Sequence, residues 1–312
     1  MFALRLVGVA LSVFILAYCA LSLAVSAGWK LTAKLWRPLA PSRSANFLLG
    51  LRLIPLAVSV AVTTVYAVPS FLLLEPDHIE EPLGPMLVLL AAGSLAWLLT
   101  ATFRAIAAQK RTSRLLSRWV KEAKGIEKGT AFPVLRLPSR DPVLTVAGIC
   151  APKVLVSETA VTILTAEELE AALRHEMAHI RRHDNLKKLL FRFASFPAMG
   201  RLESAWSEMS EMAADDAAIS NSSEALDLAS ALIKLSRFAP VQPSYAMTSA
   251  LLPGTATSLA ARVRRLFNWT DPQKRETGPF VLPLVLVIGF LAVLTYGPLL
   301  TCMHAMTEWL VR

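Results

Sequence analysis

His175-Glu176-Met177-Ala178-His179 sets two imidazoles four residues apart, with a carboxylate directly after the first. On an α-helix, positions i and i+4 share a face, so both rings can reach a single ion. The intervening carboxylate can then sit beside the water that such an ion activates. This is the His-Glu-x-x-His arrangement of zinc peptidases. The same letters also occur by chance on ordinary helices, so the flanking sequence has to decide.

The flanks predict a helix. Thr165-Ala166-Glu167-Glu168 reads as a capping box, with Thr165 as N-cap and Glu168 at the third helical position. Neither Gly nor Pro interrupts Ala166 to Arg182, and Leu169, Ala172, Leu173, Met177 and Ile180 recur at helical spacing. A catalytic zinc takes three protein ligands and keeps one position open. Downstream, Glu211 and Asp215 are four apart on a second predicted helix, where the small residues Ala214 and Ala218 would permit close approach to the first. Glu211 is the candidate third ligand. Asp215 is the candidate partner for the spare N–H of a ligand histidine, which would fix its tautomer. His183 is the rival ligand, but eight residues overshoot two turns, so it points roughly 80° away from His175.

These segments resemble a known family. Leu164-Thr165-Ala166-Glu167-Glu168-Leu169, the run from Leu173 to Leu186, and Glu211-Met212-Ala213-Ala214-Asp215 are similar to the BlaR/MecR-type integral-membrane zinc metallopeptidases. Gly148 to Val156 resembles the edge segment of the same family. The likeness is sharp from Gly148 to Ala218 and loose elsewhere. It implies His175, His179 and Glu211 as metal ligands for one Zn2+ per chain, Glu176 as general base, and a gluzincin-type α+β domain. It also implies a cytoplasmic protein substrate such as a transcriptional repressor. The antibiotic-sensing members carry a penicillin-binding sensor after their last membrane helix. This sequence runs to Arg312, so β-lactam sensing by this chain alone is not expected, and a separate sensor protein is one candidate partner.

Composition points to a bilayer without any motif. Hydrophobic residues make up 54% and charged residues 18% of the 312, far from the soluble norm. Leu6–Ala27, Leu53–Leu74, Leu83–Phe103 and Phe280–Leu300 are uncharged and long enough to span hydrocarbon. A cleavable signal peptide is a weaker reading of the first, since its apolar region is long for that role. The connection after the first span carries Lys30, Lys34, Arg37, Arg43 and Arg52, and that after the second carries Glu75, Asp77, Glu80 and Glu81. After the third span come Arg104, Lys110, Arg111, Arg114, Arg118, Lys121 and Lys124. The positive-inside rule therefore predicts a cytoplasmic segment between the third and fourth spans, with both termini outside.

The expected architecture is a mainly α membrane protein. Residues 1–104 hold three transmembrane helices (about 6–27, 53–74 and 83–103), and 105–278 form a cytoplasmic metallopeptidase domain. Residues 279–312 hold a fourth helix (about 280–300) and a short extracytoplasmic tail. Within the domain, Leu135–Leu137, Val143–Ala147 and Lys153–Val156 read as short strands whose edge could hold an extended peptide. Asp184 to Phe196 reads as a helix that completes the core or, as the weaker reading, rests against the membrane spans. Glu224 to Phe238 is amphipathic, Ala239 to Pro253 is a proline-bearing loop, and Leu259 to Phe267 is a short basic helix. Cys19, Cys150 and Cys302 fall at different depths, so no disulfide is expected. The net charge of +9 largely follows from topology, and no nucleic-acid-binding motif accompanies it.

Two other functions fit parts of this pattern. A membrane quality-control protease of the heat-shock type would place two spans before its domain, not three. A silent signalling scaffold would not need His175, His179, Glu176, Glu211 and Asp215 together. No Tyr or His stands at a diagnostic spacing for the oxyanion.

Overall fold

Long apolar runs fold as the longest helices, even across Pro55. The computed structural model describes residues 2–36, 40–74, 84–123, 126–127, 134–138, 144–149, 151–238, 248–250, 256–269 and 295–311. Helix α1 is Phe2–Thr32 and α2 is Pro41–Val62, with proline in its first turn, where the missing N–H costs nothing. A π-helical turn, Thr63–Ala67, joins α2 to α3, Val68–Leu74. Pro69 would clash with the carbonyl one regular turn back, and the wider turn accommodates it. Helix α4, Pro85–Glu122, runs unbroken from the third apolar stretch through the basic segment.

Among the described residues, Phe2–Thr32, Pro41–Leu74 and Pro85–Glu122 are long and apolar enough to cross a membrane. They extend past the uncharged stretches because helical backbone continues wherever its side chains still find partners. Their outer faces expose Leu4, Val7, Leu16, Leu89, Leu99 and Phe103, while Ser12, Ser22, Ser59, Ser70 and Ser94 are buried between helices. Small polar residues at such contacts let helix backbones approach closely. The expected fourth span lies mostly outside the described residues. The last residues of that expected span and the stretch expected as a short tail together form helix α11, Tyr296–Val311, which packs on α3 and α4. Met303 there joins the Val9, Phe71 and Leu87 cluster.

Three strands fall close to where alternation and turns placed them: β2 Val134–Leu137, β3 Leu144–Ala147 and β4 Lys153–Ser157. Two more were not expected: β1 Ile126–Glu127, and β5 Thr248–Ala250, which lies inside the stretch read as a proline-bearing loop and gains strand structure by pairing with β3. The strand order is β1-β2-β4-β3-β5, with β2 and β4 parallel and the other pairs antiparallel. Between β3 and β4, Gly148 has φ 101°, and a Cβ there would meet the Ala151 carbonyl at 3.0 Å. The outer edge of β3, a candidate for holding substrate, pairs with β5 of the chain itself.

Helices α5 (Glu158–Ile163), α6 (Ala166–Arg181), α7 (Asp184–Phe193), α8 (Gly200–Ala218), α9 (Ser222–Phe238) and α10 (Ala256–Phe267) complete the domain. The capping box of α6 is present: Thr165 Oγ1 accepts from the Glu168 amide, and Glu168 Oε2 accepts from the Thr165 amide. One core joins Val146, Val154 and Val156 of the sheet to Ala171 and Ala172 of α6, Leu228 and Leu232 of α9, and Leu266 of α10.

Helix α7 takes the less favoured of its two expected arrangements. It packs on α4, and its Phe191 lies with Trp29, Leu48, Leu202 and Trp206, against the long apolar helices. Amphipathic spacing showed that α7 had a face to bury, but not against what. The adjoining turn docks by hydrogen bonds: Tyr18 Oη donates to the Ala194 carbonyl (2.6 Å) and Ser26 Oγ to the Ala198 carbonyl (2.8 Å). Arg52, counted above among the basic residues of a connection, sits inside α2 and is buried against Glu203 of α8.

Candidate metal centre

The site is built where α6 and α8 cross. Ala171, Ala178, Ala214 and Ala218 are almost fully buried, and their small side chains let the two helices approach. His175, Glu176 and His179 of α6, and Glu211 and Asp215 of α8, are all buried. Donor atoms of His175, His179 and Glu211 lie within 4.8 Å of one another. His175 Nε2 and His179 Nε2 are 3.2 Å apart, and each is 3.5 Å from an oxygen of Glu211. Tetrahedral ligands at bond lengths of about 2.0–2.2 Å stand about 3.4 Å from one another. The three donors already hold that spacing.

The other ring nitrogens set the tautomers. Asp184 Oδ2 accepts from His179 Nδ1 at 2.7 Å and also from Ser210 Oγ at 2.8 Å. His175 Nδ1 lies 3.0 Å from Asp215 Oδ1. With both Nδ1 atoms protonated, both Nε2 lone pairs face one another and Glu211. Three converging lone-pair donors repel unless a cation stands among them. This is a donor set into which a divalent metal fits.

Electrostatics point the same way. Burial disfavours the His175 imidazolium, but hydrogen bonds to Asp215 and Glu211 outweigh it and raise the ring's pKa. Burial likewise opposes charge on His179, yet Glu211 and Asp184 lift it to about 9. The field that favours protonated rings also favours a metal ion held by neutral ones. Glu211 is desolvated too, but His179, His175 and Arg262 hold its carboxyl well below the usual range. Asp215 is held at about 2, because Arg262 and His175 overcome its burial. Glu176 behaves oppositely: burial pushes it up to about 7, although His179 and His175 pull it down. Among the described residues, neither of its oxygens has a hydrogen-bond partner. A buried, unpartnered carboxyl of that basicity is poised to take a proton from a water or substrate group.

The rival residues are placed elsewhere. His183 is exposed, and its left-handed backbone (φ 56°) ends α6. Glu208, one turn before Glu211, is also exposed. Three participants went unassigned in the sequence. Asp184 orients His179. Arg262 of α10 donates from Nε and Nη2 to the two Asp215 oxygens at 2.8 and 2.6 Å. Half-buried Lys188 of α7 feels the Glu211, Asp184 and Glu176 carboxylates, and desolvation pushes its ammonium below the usual value. For Arg262 a signal existed: it shares a face with Leu259, Val263 and Leu266, so a charge occupies a core position.

A cleft of about 280 Å³ opens beside His179, lined by Val146, Gly148, Pro152, His183 and Asn185. Asn185 Nδ2 donates to the Gly148 carbonyl at 3.0 Å and ties the β3–β4 turn to α7. A larger cleft of about 460 Å³, between α1 and α2, is apolar and shares none of these residues.

A peptidase-type metal cluster on a domain docked against apolar helices of membrane-crossing length defines the class, a membrane metallopeptidase. The chain belongs to the BlaR1 peptidase M56 family, whose model matches residues 78–266, more than half of its length. No curated protein matches the chain.

Proposed function

We propose that the chain is an integral-membrane zinc endopeptidase of the gluzincin type, acting on a cytoplasmic regulatory protein such as a transcriptional repressor. The observation that carries this reading is the convergence of His175, His179 and Glu211 beside the unpartnered carboxyl of Glu176. His175, His179 and Glu211 would hold one zinc. That ion would polarise the scissile carbonyl and acidify the attacking water. Glu176 takes the proton of the attacking water and delivers it to the leaving amine. Asp184 and Asp215 keep the two imidazoles in the tautomer that presents Nε2.

The basic residues Lys30, Lys34, Arg37 and Arg43, and those of the second half of α4, support a cytoplasmic domain spanning about 105–278, with both termini outside. A fourth span near 280–300 completes that topology. The lipid bilayer and a cytoplasmic protein substrate are the expected partners. A neighbouring gene for a winged-helix repressor would support the signalling substrate.

The decisive test pairs metal analysis with peptide cleavage on the purified full chain. One zinc per chain is expected, lost in His175→Ala and His179→Ala. Glu176→Gln should keep the metal and lose about 10²–10⁴-fold in turnover, since it removes a base and not a ligand. Full activity in Glu176→Gln would refute the mechanism.

A further inference from the structure

Arg262 reaches two carboxylates of the site from a helix that contributes neither histidine nor Glu211. It is 2% exposed. Burying a guanidinium is costly unless its donors are matched, and nothing in the packing of Leu259, Val263 and Leu266 calls for a charge beside them. Two carboxylates are among the matching groups. Nε and Nη2 form a two-pronged pair with Asp215, and Nη1 stands 3.2 Å from Glu211 Oε2.

We propose that Arg262 is a positioning residue of the metal centre, its guanidinium holding Glu211 and Asp215 together in the arrangement that the two histidines share. The inference rests on the metal reading given above. Glu211 and Asp215 lie four residues apart on one face of α8, both buried, and their charges repel. One planar cation between them cancels that repulsion and fixes the rotation of the Asp215 carboxylate. Oδ1 of that carboxylate then lies 3.0 Å from His175 Nδ1. Arg262 therefore acts on His175 through Asp215, and on the candidate metal through Glu211. A lysine could neutralise one carboxylate but could not fork across both oxygens of Asp215 while reaching Glu211.

The neighbouring Arg265 provides the control. It pins the same helix to α8, pairing with Asp216 and donating to the Met212 carbonyl, and neither group belongs to the site. Loss of either arginine weakens the docking of α10, but only Arg262 bears on the metal geometry.

Cobalt(II) reports that geometry directly, because its visible d–d bands follow coordination number and symmetry. The full chain in detergent, freed of metal, is titrated with cobalt as wild type, Arg262→Gln, Arg262→Lys and Arg265→Gln. Arg262→Gln should bind cobalt about 10–100-fold more weakly, with shifted bands in the population that binds. Arg262→Lys should fall between it and wild type, and it serves if the glutamine variant does not fold. Arg265→Gln should keep the wild-type affinity and spectrum. The proposal is overturned if Arg262→Gln, or Arg262→Lys in its place, leaves both unchanged. It is equally overturned if Arg265→Gln causes the same loss, because docking of α10 would then explain the effect. A wild-type chain that binds no cobalt sinks the metal reading itself, a result distinct from either.

Discussion

Replacing Arg52 with Met should loosen the domain from the long helices, and the contacts set how far. The guanidinium is fully buried, with Nε and Nη2 each 2.9 Å from Glu203 Oε1 and Nη2 2.7 Å from the Ala194 carbonyl. It also lies 5.6 Å from the ring centroid of Phe191. Glu203 is 37% exposed, so its share is screened and contributes at most about 1 kcal/mol. The bond from a charged donor to a buried carbonyl contributes about 1.5–3 kcal/mol, and the cation over the ring about 0.5–1 kcal/mol. Truncation does not orphan the carbonyl, because Tyr18 still donates to it. Methionine refills most of the volume. Arg52→Met should therefore cost about 2–4 kcal/mol, and Glu203→Gln under about 1 kcal/mol.

Urea unfolding of the full chain in non-ionic detergent measures both, with tryptophan fluorescence as probe because Trp29 and Trp206 belong to the same cluster. Helix α8 carries Glu203 near its start and Glu211 eight residues on, so Arg52→Met should also speed metal loss to a chelator. If Glu203→Gln destabilises as much as Arg52→Met, the exposed ion pair dominates and the reasoning fails. If Arg52→Met leaves the midpoint unchanged, the domain is not anchored by this side chain.

Glu211→Ala should strip the metal while Glu208→Ala keeps it; the reverse, seen by metal analysis, would put the ligand one turn away. Asp215→Asn should lower metal affinity or turnover by about 10–100-fold, since it keeps an acceptor but removes the charge that favours the metal-bound imidazole. Asp216→Asn, which breaks only the Arg265 pair, should be far milder, and equal losses in the two would reassign Asp215. Burial alone would raise the Glu168 carboxyl, but Lys234, Ser230 and the Thr165 amide hold it below its ordinary value. It therefore stabilises the fold above the unfolded carboxyl's pKa, and that contribution fades as pH falls through the folded value. Glu168→Gln should cost about 1–2 kcal/mol near pH 7 and almost nothing in the acid range, which paired denaturation curves would show. Cysteines introduced at Glu80 and Glu308 should react with an impermeant label on intact cells, and one at Lys124 should not. Labelling at Lys124 would turn the topology inside out.

The parts of the site legible in the sequence are those whose geometry is local. Four-residue spacing on a helix fixes a shared face, so His175 with His179 and Glu211 with Asp215 could be paired before any coordinates. The capping box at Thr165 marked where α6 begins for the same reason. The membrane helices were legible as apolar length, although the run of α4 from apolar into basic residues shows that charge content does not end a helix. The illegible parts are contacts between distant segments. Asp184 follows the histidine motif closely, but its role needs the left-handed turn at His183, which sends the chain back toward His179. Arg262 lies 47 residues beyond Asp215, and only folding brings α10 over α8. Its residue type on an apolar face was the available sign, and the choice of partner was not. The same holds for Tyr18, Ser26 and Arg52, which read as ordinary residues in or near membrane spans until the Ala194–Ala198 turn presents carbonyls to them. Periodicity says that a face will be buried; which surface covers it is decided by the chain as a whole. Here that choice joins the helix bearing Glu211 to the long apolar helices at one end and to Arg262 at the other.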